Sequence, residues 1–271
     1  MNDGKRRFSF SAWSGRLALG AFCLLIGGIA ASDARTTASN WTILRAASIL
    51  NQGLTLDPKT VAHLRGEILA GLGTASCRSD IVHASLLMVL TDLDNQNITN
   101  NYDGWADSVS SAEKFLGHAI TCLPSDGDLW LRYAMVRMKS GEIPAEQVEL
   151  MQISQSLAPA EGGTLLARIG HWNELSATTL EKAAPLVNAD LKNALLYMGV
   201  GSLRSQLENL SPQLTPYVAQ VASQLPADRQ DYFAKSEVAL PQLPIVNSSS
   251  GQQQPAQLWF KPAWPGSPPI N

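Results

Sequence analysis

The sequence carries no Gly-rich phosphate loop, no Gly-x-Ser-x-Gly elbow and no zinc-binding spacing of Cys and His. These absences remove the commonest signatures of nucleotide, esterase and zinc chemistry. Aromatic residues make up only 7% and charged residues 16% of the 271 positions, while Ala, Leu, Ser and Gln are frequent. That balance favours helices packed through small side chains over a β-sandwich, so the expected class is all-α. The net charge of −3 is unevenly spread, because Lys5, Arg6, Arg7 and Arg16 precede residue 33 with Asp3 alone opposing them. The remainder holds 16 basic against 22 acidic groups, a net of about −6. A mildly acidic body lacks the clustered cations that phosphate binding needs, which argues against nucleic acid as a partner.

What is present begins with an export segment. The basic cluster is followed by an uncharged run of 16 residues, Leu17 to Ser32, ending in the small residues Ala30-Ala31-Ser32. Its length lies between a signal-peptide core of about 7 to 15 residues and a spanning helix of about 20. Two readings stand, a cleaved signal and a retained anchor with the cations in the cytoplasm. Cys23 follows Phe22, not the small residue of a lipoprotein box. The chain divides into an export segment (1–34), a helical body (35–240) and a Pro-, Gln- and Ser-rich tail (241–271) too polar to fold alone.

Within the body, apolar spacing predicts a helix from Trp41 to Gly53 and a second opened by Asp57 and Pro58. A buried helix follows Ser79-Asp80, and an Asn-rich loop spans Asn95 to Gly104. Beyond Pro159, helices are expected in Thr164–Leu175, Ala189–Leu207, Pro216–Leu225 and Ala227–Ala239, with Gly199 and Gly201 weakening the second.

The centre of the chain is Ala112 to Pro159, where Pro124 and Pro159 stand 35 residues apart with a helical hairpin between them. Ala112, Leu116, Ala119 and Pro124 give a small, large, small, proline spacing. After the Ser125-Asp126-Gly127 turn come Trp130, Ala134 and Gly141. This pattern resembles the tetratricopeptide repeat, firmly from residue 108 to 143 and in worn form from about 41 to 200. Gln147 departs from it, standing where a small residue is expected. The resemblance implies a superhelix of stacked hairpins, with Trp130 as a buried wedge and a curved inner surface that binds a partner.

Candidate chemistry is sparse. Cys77 and Cys122 each precede a Ser-Asp turn; in an exported chain they are either a disulfide or two buried thiols. His63, His83, His118 and His171 are widely spaced, and His63 with Glu67 alone is too little for a metal site, so the array reads as structural or surface. The Asp92-Asp94 and Asp103-Asp107 groups read as a solvated loop in preference to a Ca²⁺ site, and Glu142, Glu146 and Glu149 as a solvated helix face. Trp259, Phe260 and Trp264 in the tail are placed to dock on the body or on a partner. No catalytic, cofactor or metal residue is assigned.

Degenerate repeats behind one anchor resemble accessory proteins of bacterial polysaccharide synthesis and export. The resemblance implies a non-enzymatic scaffold in the inner membrane, its body in the periplasm and its partners envelope proteins. A cleaved signal would leave it free in the periplasm. The alternative is a periplasmic glycan-cleaving enzyme whose superhelix carries a catalytic carboxylate pair.

Overall fold

Prolines and glycines set many of the helix limits. Pro58, Pro144, Pro185 and Pro216 each stand in the first turn of a helix, where a missing N–H costs nothing. Gly53 and Gly141 follow helix ends with φ of 76° and 135°, a region that favours a residue without Cβ. A computed structural model describes residues 10–74, 76–236 and 238–242, with the backbone alone at 10–18 and 74. Trp259, Phe260 and Trp264 lie outside the described residues.

Among the described residues the chain is all-helical. The helices are α1 (Phe10–Ser39), α2 (Trp41–Asn51), α3 (Pro58–Gly71), α4 (Ser79–Asp94), α5 (Tyr102–Cys122), α6 (Gly127–Ser140) and α7 (Pro144–Leu157). They continue as α8 (Gly162–Glu174), α9 (Ala177–Lys182), α10 (Ala184–Tyr197), α11 (Val200–Glu208), α12 (Thr215–Ala222) and α13 (Ala227–Lys235), with a 3₁₀ turn at Leu72–Thr74. Neighbours in sequence pack as hairpins, α4 with α5 and α6 with α7, while α2 packs on α4, α6 on α8, and α10 on both α8 and α12.

The buried side chains form two clusters that meet at α6. Leu129 and Val136 join the cluster of α2 to α5, Leu131 and Ala134 join that of α7 to α13, and Trp130 and Tyr133 touch both. A helix buried on two sides lacks a single apolar stripe, which fits the Trp-Leu-Arg-Tyr-Ala-Met-Val mixture of α6. The repeat positions Ala112, Leu116, Ala119 and Ala134 are fully enclosed. Their small side chains let helices approach, and each buried leucine contributes about 1.5 to 3 kcal/mol.

The two ends 35 residues apart have nearly the same geometry. Leu123 after α5 has φ −130°, ψ 66°, and Ala158 after α7 has φ −133°, ψ 61°. Their N–H groups donate to Ala119 and Ser154, each at 2.9 Å. Pro124 and Pro159 follow, and the carbonyl of each accepts a side-chain hydrogen bond, from Trp130 Nε1 at 2.9 Å and from Asn193 Nδ2 at 3.3 Å.

Several expectations are corrected. Trp130 is half-buried, while among the described residues Trp172 is the fully enclosed tryptophan. The helix expected over Ala189–Leu207 is two helices, because Met198 and Gly199 are extended at ψ 154° and 138°. The last helix ends at Lys235, and Val238 turns back into the core. The Asn-rich loop is shorter than expected, since Asn101 accepts from Gly104 N and starts α5. The boundary placed at 34/35 falls inside α1, which continues to Ser39.

Leu19–Ser39 of α1 has the length and mean hydropathy, 1.2, to cross a membrane, and none of that stretch is buried. As an apolar helix near the N-terminus it fits either an anchor or a signal segment.

Candidate docking groove

Two open hollows meet along one face of the body. The first, about 670 Å³, runs from Leu44 and Asn51 on α2 across Leu87 and Leu90 on α4 to Arg132 on α6. The second, about 640 Å³, continues from α6 past Leu157 to Glu161 and Thr164 at the start of α8. His83, Asp128 and Arg132 line both.

Local structure places these groups. Asp126 caps α6 through Oδ1, which accepts from the N–H groups of Asp128 and Leu129 at 3.0 and 3.3 Å. Its other oxygen, Oδ2, takes a 2.8 Å hydrogen bond from His83 Nε2 on α4. One carboxylate thus starts a helix and ties it to the preceding hairpin. One turn on, Arg132 Nε lies 3.2 Å from Asp128 Oδ1. At the α4 end, Asp80 receives two hydrogen bonds from Arg78, which hold its carboxyl below the usual range. At the far end of α4, desolvation raises the Asp94 carboxyl despite Lys139 and Arg132 nearby. The groove presents leucine side chains between fixed charges of both signs.

None of the repeat positions lines either hollow. Ala112, Leu116, Ala119 and Ala134 are core, Pro124, Gly141 and Pro159 turn the chain, and Trp130 joins the two clusters. Cys77 and Cys122 are disulfide-bonded, linking the approach to α4 with the end of α5. His118 lies 3.6 Å from Cys122 Sγ.

Charged residues read as solvated are in part structural. Asp92 is buried, accepting from Ser108 Oγ at 2.7 Å. Arg65 sits between it and Asp107, with Nη1 2.7 Å from Asp107 Oδ2 and Nε 3.4 Å from Asp92 Oδ2, the latter without a well-directed hydrogen bond. A guanidinium therefore stands between two of the carboxylates that a Ca²⁺ site would have used. Glu142 accepts from Ser176 N, Ser176 Oγ and Thr179 Oγ1, capping α9. Desolvation alone would raise its carboxyl, but these hydrogen bonds bring it below the usual value. Glu146 pairs with Arg137 at 2.8 Å. Among the described residues no three His, Cys, Asp or Glu side chains converge as metal ligands would.

Gln147, which departs from the expected repeat spacing, is fully buried and serves a polar contact. The Ala134 carbonyl can only accept, so the Gln147 amide NH₂ faces it at 3.1 Å. Oε1 then faces His171 Nε2 at 2.8 Å, which places the ring proton on Nε2 and leaves Nδ1 without a hydrogen bond. Enclosure pushes the His171 pKa down to about 4 from 6.5, with a smaller push from Lys139.

No protein-family model, curated protein or solved structure matches the chain.

Proposed function

We propose that this chain is a membrane-anchored scaffold of the bacterial envelope, its body a worn tetratricopeptide-like superhelix that docks a partner protein along the groove of α2, α4, α6 and α8. The observation that carries the reading is the combination of an exposed apolar α1 with an open groove crossing three successive hairpins. Support for the repeat comes from the matching helix ends at Leu123 and Ala158. Support for a non-enzymatic role comes from three groove carboxylates, Asp80, Asp126 and Asp128, which are engaged by Arg78, His83 and Arg132 respectively. Asp94 and Glu161, which form no ion pair among the described residues, line different hollows, whereas glycan cleavage needs an acid and a base facing one substrate. The link to exopolysaccharide synthesis or export rests on the likeness of anchored degenerate repeats to accessory proteins of those systems.

Affinity purification of the full chain from detergent-solubilised envelopes tests this reading. The expected result is co-purification of a defined envelope protein, reduced several-fold by Arg132→Glu, which reverses the charge of the arginine common to both hollows. Recovery of no envelope protein with the unaltered chain would sink the scaffold reading.

A further inference from the structure

We propose that the body rests directly on the bilayer, phospholipid headgroups contacting the end formed by Trp41, the last turn of α3 and the Arg78 loop. The inference builds on the anchor reading above and adds where the body sits relative to the lipid.

The first observation is length. The apolar run of 16 residues measures about 24 Å as a helix, against roughly 30 Å of hydrocarbon in a bilayer. A spanning α1 therefore brings the residues just beyond Ser32 to the hydrocarbon boundary. Asp33 is the first of them, and it is held by the body: Arg78 Nη1 lies 2.7 Å from Asp33 Oδ1 and 2.9 Å from Thr37 Oγ1. Pairing with Arg78 offsets the carboxylate charge at a depth where an unpaired one is costly. Arg78, far along the chain, is thereby placed at the same depth.

The second observation is the lack of slack between α1 and the body. Thr36 Oγ1 and Thr37 Oγ1 donate back to the carbonyls of Ser32 and Asp33, Asn40 Nδ2 donates to Thr36 O, and α2 begins at Trp41. No Gly- or Pro-rich linker separates them. Glu67, Ala70 and Gly71 of α3 line a hollow of about 680 Å³ together with Thr36 and Ser39, so the end of α3 stands beside the end of α1.

The third observation is the chemistry exposed there. Trp41 is 60% exposed on the surface it shares with Ala30, Ala34 and Ala38, so the apolar face of α1 continues onto the body. Arg35 and Arg45 are exposed and make no hydrogen bond or ion pair among the described residues. An amphipathic ring flanked by unpaired cations suits the phosphate layer, where tryptophan concentrates and arginine meets anionic groups.

The test uses the full chain with Cys23→Ser and the disulfide intact, in vesicles of phosphatidylethanolamine and phosphatidylglycerol. Nitroxide labels are placed singly at Leu24→Cys, Ala70→Cys and Ser223→Cys, and their collision rates with oxygen and a nickel chelate are compared. A lipid reading at Leu24 is expected, with a several-fold higher oxygen-to-nickel ratio at Ala70 than at Ser223. Equal readings at Ala70 and Ser223, with Leu24 in lipid, overturn the proposal and leave the anchor standing. A water reading at Leu24 overturns the anchor itself. Arg78→Ala and Asp33→Ala, each with helicity intact, should bring Ala70 to the Ser223 level; an unchanged Ala70 in both shows that the Arg78 contact does not set the arrangement.

Discussion

Arg168 and Asp190 form a two-armed ion pair, Nε to Oδ2 at 2.9 Å and Nη2 to Oδ1 at 3.0 Å, with neither side chain reaching solvent. The remaining polar capacity is also used. Trp172 Nε1 and Gln155 Nε2 donate to Asp190 at 2.9 and 2.8 Å, and Arg168 Nη1 donates to the Ala158 carbonyl at 2.9 Å. The pair thus joins α7, α8 and α10 at one point.

Removing one partner strands the other charge. Asp190→Ala should cost about 3 to 5 kcal/mol in a denaturant titration, while the double change Arg168→Met, Asp190→Leu should recover only part of that loss, because Trp172 Nε1 and the Ala158 carbonyl stay without their partners. A single variant as stable as the parent would mean that the pair contributes nothing.

The His171 ring gives a pH dependence with a definite sign. Its folded pKa of about 4 lies below the ordinary 6.5, so the unfolded chain binds the proton more readily. Its contribution is fully present above pH 6.5 and is lost as pH falls toward 4, roughly 3 kcal/mol over that window. His171→Gln should flatten that part of the stability profile; an unchanged slope there would locate the effect elsewhere.

Gly127 begins α6 where α7 ends. A Cβ there would stand 2.6 Å from Ala158 Cβ and 2.9 Å from the Ser154 carbonyl, and neither neighbour is a flexible side-chain tip. Gly127→Ala should therefore destabilise by about 1 to 3 kcal/mol in thermal or chemical unfolding. Full stability would show that the two helix ends separate easily.

The two central tryptophans should differ. Trp172→Ala empties an enclosed site and also removes a hydrogen bond to Asp190, so a loss of about 3 to 5 kcal/mol is expected. Trp130 is half-buried, and its truncation should cost clearly less. Parallel denaturant titrations of the two variants rank them, and the reverse order would misplace the core.

The Cys77–Cys122 bridge closes a 45-residue separation. Loop-closure entropy gives an expected loss of about 3 to 4 kcal/mol for the Cys77→Ser, Cys122→Ser double variant. Melting of the oxidised parent beside that variant measures it, and coincident curves would remove the bridge from the account of stability.

Local chemistry was enough to read the all-helical class and several helix limits from the sequence. Asp57 with Pro58, Gly53, Gly141 and the 35-residue offset of two prolines act through neighbours in the chain, so their effects follow from residue type and order. The apolar run after four cations is likewise a property of contiguous residues. The partners of Asp92, Gln147, Arg168 and His171 are not of that kind. Each lies at least ten positions away, and the same side chain at the same helical spacing would be solvated in another packing. The groove was hidden for the same reason, since His83, Asp126 and Arg132 become one surface only when the start of α6 is brought to α4. The sequence by itself determined the helical class, several helix limits and which end is apolar. Tertiary structure decided which charges are buried, which cysteines meet and which face stays open, because those depend on contacts between residues far apart in the chain.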